Sequence, residues 1–402
     1  MASNMARRSM NYRALLLACA VILVASASSR LRADTGTCGG QMITLPFTDV
    51  PAANGFFCSI AQIYFQGITL GTTPTTYNPA DGVSREQMAA FLARSQNSTL
   101  NRGSRRAALN QFWTTTPQYE VTQGAGKLGT TAVGVNPELV ASDGADLWVP
   151  NGDGTVSRVR GSDGKLLETW TGATDAKCVM VAMGRVFMAG NGSHLYMLNP
   201  GQTAGTVTTV SSALGTFPQG IAFDGQRIWT ANDDGSVSII TPGSPSFGVN
   251  NVGGFTGLRG IVYDGANMWV TDLGANALKK LDAGGAVLLT VPVGPIPVYP
   301  IYDGTNIWVP CNSGSVSVVR PSDGRVLATL TGNGLSQPIS AAFDGQRILI
   351  TSIGAVKGVS LFRAADFAPL GTFSITGAPW GACSDGVNFW ITILGPNKLA
   401  RF

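Results

Sequence analysis

A seven-residue phrase returns about every forty residues through the C-terminal two thirds of this chain. It reads Ser142-Asp143-Gly144-Ala145-Asp146-Leu147-Trp148, then Phe223-Asp224-Gly225-Gln226-Arg227-Ile228-Trp229. Copies follow at 263–269, 302–308, 343–349 and 384–390. A worn copy, Met183-Gly184-Arg185-Val186-Phe187, fills the gap between the first two, which makes seven. A period of this length marks supersecondary units that cannot each bury an apolar face alone and must stack to do so.

Each copy follows one plan. An apolar run such as Gly220-Ile221-Ala222-Phe223 leads into Asp-Gly, and a second apolar run, Ile228-Trp229-Thr230-Ala231, leads out of it. Asp-Gly between apolar segments is a hairpin signal, because both residues tolerate the positive φ of tight turns. A polar turn then precedes Ser236-Val237-Ser238-Ile239-Ile240, which alternates at the strand period, and a weaker fourth run closes the unit. Four short antiparallel strands per forty residues make a propeller blade, so the expected fold is mainly β: a seven-bladed β-propeller over 121–402. Trp148, Trp229, Trp269, Trp308 and Trp390, with Phe187 and Leu349, are expected to fill the interfaces between blades. After Trp390 only one more strand fits, 398–402. The segment 126–134 reads like an outer strand and is expected to complete the last blade. Such closure removes exposed strand edges.

The N-terminus has a different character. Three Arg and no acid precede the apolar run 14–27, which ends in Ala-Ser-Ala, so residues 1–27 read as a Sec-type secretory signal peptide. The run is short for a membrane span, which needs roughly 20 residues. No transmembrane span is therefore expected in the mature chain. Leu16-Leu17-Ala18-Cys19 also allows a lipoprotein reading. Export to the cell envelope or beyond is the expected localisation. Removing the leader lowers the formal charge from +4 to +1, which gives no global field for nucleic acid. A basic cluster, Arg94, Arg102, Arg105 and Arg106, falls in a polar stretch that reads as solvated, and 101–120 is taken as a linker. Cys38 and Cys58 flank the first folded segment and are the candidate disulfide. Cys178, Cys311 and Cys383 read as isolated small core residues. With no Cys-x-x-Cys and His194 as the only histidine, neither a metal site nor a cofactor is expected.

Residues 38–100 form a small helical module. Phe57, Ile60, Ala61 and Tyr64 share one helical face, and Ser84 caps a second helix bearing Met88, Ala89, Phe91 and Leu92. The ordered set Phe47-Thr48-Asp49-Val50-Pro51, Gly67-Ile68-Thr69-Leu70-Gly71, Tyr77-Asn78-Pro79 and Val83-Ser84-Arg85-Glu86-Gln87-Met88 resembles the S-layer homology family. The resemblance implies docking onto cell-wall glycan, with Ser84, Arg85 and Gln87 at the matching glycan-binding positions. Gln87 stands where that motif has an acid, and Glu86 where it has Ala.

Pro218-Gln219-Gly220-Ile221 and the Asp-Gly-x-x-Ile-Trp phrases resemble the NHL, YVTN and virginiamycin-lyase-like propellers. That resemblance implies a binding face where two loops of each blade meet around the central opening. The loop before each inner strand offers Glu138, Lys177, Gln219, Arg259, Val298, Ile339 and Trp380. The loop after the second strand offers Asn151, Asn191, Asn232, Asp272, Cys311, Ser352 and Ile393. From these, Glu138, Lys177, Gln219, Arg259, Asp272, Trp380, Asn151 and Asn232 are taken as candidate ligand contacts, for a protein or glycan partner of unknown identity. Loop positions that vary on a regular frame suit recognition. No catalytic residue is assigned. The expected function is non-catalytic binding or adhesion at the cell envelope. The alternatives are a lyase or hydrolase using Glu138 and Asp272 as an acid/base pair, and a purely structural envelope component.

Overall fold

In the computed structural model each Asp-Gly phrase is the turn of a hairpin, and the Asp side chain builds it. In the third copy Asp224 Oδ1 accepts the backbone N–H groups of Gln226 and Arg227 at 2.8 and 2.6 Å. Its other oxygen accepts the indole N–H of Trp229 at 2.7 Å. The same bond joins Asp143 to Trp148, Asp264 to Trp269, Asp303 to Trp308 and Asp385 to Trp390, at 2.7 to 2.9 Å. Where Leu349 replaces Trp, Arg347 donates to Asp344 Oδ2 at 2.9 Å.

The structure describes residues 33–38, 41–65, 68–103, 129–244 and 247–402. These divide into two units, Met1–Leu100 and Asn101–Phe402. The expected leader, Cys19 and 104–120 of the expected linker lie outside the described residues. No helix of the described residues is long and apolar enough to cross a membrane.

The second unit contains seven four-stranded antiparallel sheets among the described residues. The third is typical: Pro218–Phe223, Ile228–Asn232, Ser236–Thr241 and Gly248–Gly253, hydrogen-bonded in sequence order. In the seventh, Ala378–Ser384, Phe389–Leu394 and Lys398–Arg401 are followed in space by Gly129–Ala132. That last strand lies within the segment read as the outer strand. It pairs Gly129 with Arg401 and Ala132 with Lys398. The ring therefore closes by pairing a strand that precedes the first blade with the final strand of the chain.

Seven apolar clusters sit between successive sheets. Trp148 and Trp170 of the first blade pack with Val186, Met188 and Tyr196 of the second. Trp390 of the seventh packs with Leu147, Val149 and Val159 of the first, which completes the circle. All five repeat tryptophans, Phe187 and Leu349 are at most 1 % exposed. They are core, as the repeat implies. Cations cover several of the rings: Arg158 lies 5.0 Å from the centroid of Trp148 and Arg227 5.0 Å from that of Trp229. Near the axis neighbouring inner strands touch backbone to backbone. A Cβ on Gly260 would meet Pro300 at 2.3 Å and the carbonyl of Val298 at 2.6 Å, so glycine here permits the approach.

The first unit is a hairpin, Thr35–Cys38 with Gln41–Thr44, and two helices, α1 (Phe57–Phe65) and α2 (Arg85–Gly103). A disulfide joins Cys38 to Cys58, whose Cα atoms are 5.6 Å apart. Leu45, Phe47, Val50, Phe57, Ile60 and Ala61 form its core, with Tyr64 against it. Asp49 accepts the N–H groups of Tyr77 and Asn78, which ties the opening phrase to the Tyr-x-Pro turn. The second helix departs from expectation in two ways. It runs to Gly103, into the stretch read as linker. Its Met88 and Leu92 are exposed, so its apolar residues are not core of this unit. Arg94, read as solvated, donates to the carbonyl of Ile68 at 3.0 Å.

Candidate functional site

In six of the seven blades two loops are clasped at one end of the ring. The backbone carbonyl two residues before the first-loop position accepts a hydrogen bond from the N–H of the residue that opens the second loop. These bonds run from Gly152 N–H to Asn136, Asn191 to Asp175, Asp233 to Phe217, Leu273 to Gly257, Asn312 to Ile296 and Ile353 to Gln337, at 2.8 to 3.2 Å. Aiming the carbonyl this way sets φ positive at all six accepting residues.

Threonine hydroxyls fasten the first loop to the preceding blade. Thr271 donates to the carbonyl of Val298 at 2.7 Å, Thr351 to that of Trp380 at 2.8 Å, and Thr392 to that of Glu138 at 2.7 Å. The last of these spans the ring closure.

Inside the clasps is a cavity of about 520 Å³, lined from six blades. Lys177, Gln219, Arg259, Val298, Ile339 and Trp380 come from the first loops. Asn191, Asp233, Leu273, Asn312 and Ile353 come from the second, and Phe217, Ile296 and Tyr299 complete the wall. The volume falls in the range of small-molecule sites, roughly 300–1,000 Å³.

The second-loop candidates are displaced by one residue from the cavity. Asn151, Asn232, Asp272 and Cys311 are fully buried, and Ser352 is 1 % exposed. Asn232 donates to Ser236 and Ser238 at 3.0 and 2.9 Å, and Asn151 does the same to Thr155 and Ser157. Asp272 binds Lys279 Nζ at 2.7 Å and accepts from Thr256. These are caps of the turn between second and third strands. The cause is the strand period of two: a side chain one position later points the other way. Asn151, Asn232 and Asp272 are therefore corrected to scaffold, and Asp233, one residue after Asn232, is the polar group that reaches the cavity.

The electrostatics of Asp272 agree. Burial acts to raise its carboxyl, but Lys279 and the Thr256 hydroxyl and N–H outweigh it and hold the group below the ordinary carboxylate range. Glu138 is 8 % exposed and paired with Lys177 at 2.7 Å. Each carboxylate is thus committed to its own lysine, and the acid/base pairing of Glu138 with Asp272 has no geometric basis.

Other polar groups at the cavity are less committed. Among the described residues Arg259 has one acidic ion-pair neighbour, Asp233, at 3.8 Å, beyond hydrogen-bonding reach. The indole N–H of Trp380 is buried with no partner. Burial pushes the phenol of Tyr299 up, opposed by the nearby charge of Arg259, so it stays a neutral donor.

Phe217 and Ile296 were not singled out by the sequence reading. They are 45 % and 42 % exposed, with φ of 56° and 57°. Their signal was a bulky apolar residue before the loop proline, where the first and sixth blades have Asn136 and Gln337.

In the first unit, Ser84 and Gln87 form a reciprocal cap on α2. The Ser84 N–H donates to Gln87 Oε1 at 2.9 Å, and the Gln87 N–H to Ser84 Oγ at 3.2 Å. That corrects their assignment as free glycan contacts.

No family model matches this chain, and no curated protein does. The S-layer homology resemblance therefore stands on its motif residues alone. Solved structures do match. A streptogramin B lyase structure is similar at 15 % identity and TM-score 0.57, covering 68 % of this chain and 96 % of that one. The WD40 β-propeller domain of Doa1 matches at 14 % identity and TM-score 0.57, over 69 % and 97 %. The β-propeller domain of Myceliophteria thermophila Cps50 (Swd1) matches at 10 % identity and TM-score 0.59, over 68 % and 98 %. A fold shared by a lyase and by WD40 domains fixes architecture and leaves activity to the site.

Proposed function

We propose that this chain is an exported, non-catalytic binding protein of the bacterial cell envelope, whose propeller takes a ligand at the axial opening. The observation that carries this reading is the identity of two clasp residues. The clasp requires positive φ, and Gly257, Asn136 and Asp175 meet that requirement with residue types that tolerate it. Phe217, Ile296 and Gln337 do not, and of these Phe217 and Ile296 are bulky apolar residues. A bulky or β-branched residue in this region costs of order 1–3 kcal/mol, and such strain is concentrated at functional sites. Both side chains are also left exposed to water at the mouth of a cavity. Packing does not account for this exposure, and contact with a bound molecule does.

Export is supported by the leader pattern of residues 1–27 and by the Cys38–Cys58 disulfide, a bond that persists in oxidising compartments. Surface association is assigned to the first unit on its motif residues. With Ser84 and Gln87 occupied by the cap, any contact with anionic cell-wall glycan falls to Arg85, whose side chain is exposed.

The full chain labelled with 5-fluorotryptophan tests the site. Its Trp380 signal, assigned with Trp380→Phe, should shift with at least one member of a panel of N-acetylmuramyl dipeptide, chitobiose, N-acetylphenylalanine and phenethylamine. A Phe217→Asp variant should reduce that shift. No movement with any member, or a shift indifferent to Phe217→Asp, would overturn the reading.

A further inference from the structure

The donors and the apolar wall of this cavity specify more than a generic ligand. We infer that the axial site takes a carboxylate borne on an aromatic or branched apolar body, with the carboxylate on Arg259 and the Trp380 N–H and the body against Phe217 and Ile296. The inference rests on the binding reading above and adds the ligand's chemistry.

The anion follows from Arg259. Elsewhere in the propeller, part-buried guanidinium groups have close partners. Arg158 holds Asp146 at 2.6 Å and Glu168 at 3.0 Å, Arg227 holds Asp224 at 3.0 Å, and Arg347 holds Asp344 at 2.9 Å. Arg259 has Asp233 at 3.8 Å and no hydrogen bond, although its side chain is only 32 % exposed. A planar fork of donors suits a carboxylate, which can accept from it in two places. Lys177 does not compete for the anion, because Glu138 already neutralises it at 2.7 Å.

The second donor is the Trp380 indole N–H, the one tryptophan N–H on this wall and buried without a partner. An unmet buried donor carries an uncompensated desolvation cost, which an incoming oxygen would relieve. Tyr299, held protonated, offers a third donor at the same cavity.

The apolar body follows from the rest of the wall. Phe217, Leu273, Ile296, Val298, Ile339 and Ile353 present aliphatic and aromatic surface. Polar side chains interrupt this wall at Asn191, Gln219, Asp233 and Asn312, but most of its surface is apolar, which suits a sugar poorly. A cation would face Arg259 as well as Asp233, with Lys177 already neutralised by Glu138. An amphipathic acid matches both the guanidinium and the apolar surface.

The shared chemistry has two sources: a free small acid, or the C-terminal residue of a peptide. Titration of the full chain with 3-phenylpropionate, N-acetyl-Ala-Ala-Phe and N-acetyl-Ala-Ala-Phe amide separates them. Saturable binding of at least one acid is expected, with the amide at least tenfold weaker than its acid. Tighter binding of the peptide acid identifies a chain terminus as the source; tighter binding of 3-phenylpropionate identifies a free acid. Arg259→Gln should bring acid and amide to within twofold of each other. Trp380→Phe, which keeps the ring and loses the N–H, should weaken the acid several-fold. Circular dichroism and the unfolding midpoint of each variant should match the parent. Equal affinity for acid and amide, or an acid preference that survives Arg259→Gln, would overturn the inference. If neither acid binds while chitobiose or phenethylamine still shifts Trp380, the ligand class is wrong and the binding site stands. If no probe shifts Trp380, both fall.

Discussion

The carboxylate of Asp224 accepts the indole N–H of Trp229 at 2.7 Å, five residues along the same chain. This bond makes the Asp-Gly turn and the inter-blade core a single device. The aspartate folds the hairpin through two backbone N–H groups and satisfies the one polar atom of a tryptophan that is 1 % exposed. Buried tryptophan needs such a partner.

Asp224→Ala should therefore destabilise the propeller by about 1–3 kcal/mol, since it strands a buried N–H and two turn amides. Urea unfolding followed by tryptophan fluorescence measures the loss. An unchanged midpoint would mean that the turn holds without its side chain.

Acid should weaken the fold through the same groups. At Asp143, Asp224 and Asp272 burial works to raise the carboxyl, and the hydrogen bonds and nearby cations outweigh it, so each lies below its ordinary value. A carboxylate depressed in the folded state contributes stability that is fully present above the unfolded value, about 3.9, and is lost as pH falls through the folded one. Stability should be flat from pH 7 to about 5 on account of these groups and should fall below pH 4. Asp272→Asn should flatten part of that fall. A slope unaltered between pH 4 and 2 would count against the assignment.

Ring closure rests on one hydroxyl as well as one strand. Thr392 donates to the Glu138 carbonyl and accepts from the Gly381 N–H at 2.8 Å. Thr392→Val keeps the shape and removes both bonds, at a cost of about 1–3 kcal/mol. Hydrogen exchange should rise at the Gly381 amide and in strand Gly129–Ala132 before it rises in the middle blades. Uniform exchange around the ring would show that the latch does not bear on closure.

Deleting 121–133 removes the outer strand of the seventh blade and leaves Lys398–Arg401 as an open edge. The shortened chain should melt lower and aggregate, as unpaired edges do. An unchanged melting transition would show that the pairing of Gly129 with Arg401 adds nothing to closure.

The fold was legible because the Asp-Gly phrase recurs and each copy alternates at the strand period. The tryptophans read as core for the same reason. The partner of each indole was not legible: Asp-Gly announced a turn, and nothing in its spelling announced that the aspartate turns back to the tryptophan. The first-loop residues Lys177, Gln219, Arg259 and Trp380 could be placed at the opening because they precede the inner strands. The second loop was misjudged by one position except at Asn191, which does line the cavity. Asn232 and Asp233 look equally polar in sequence, yet one caps the turn and the other reaches the cavity. Register at a strand end depends on bulges, such as the shift between Pro218 and Gly220, that the sequence does not spell out. Gln87 was likewise taken for a surface contact when its spacing from Ser84 equally suits a reciprocal cap.

On the binding reading, Phe217 and Ile296 are kept for a ligand rather than for the fold. Urea unfolding of the Phe217→Gly/Ile296→Gly chain tests this directly. Left-handed backbone costs an L-residue roughly 1–2 kcal/mol, and glycine gives back about 0.5–1 kcal/mol of that through its unfolded state. The predicted result is a stability equal to the parent's or higher. A loss of more than about 1 kcal/mol per site, the scale of lost packing, would show that these side chains serve the scaffold and would contradict the binding site built on them.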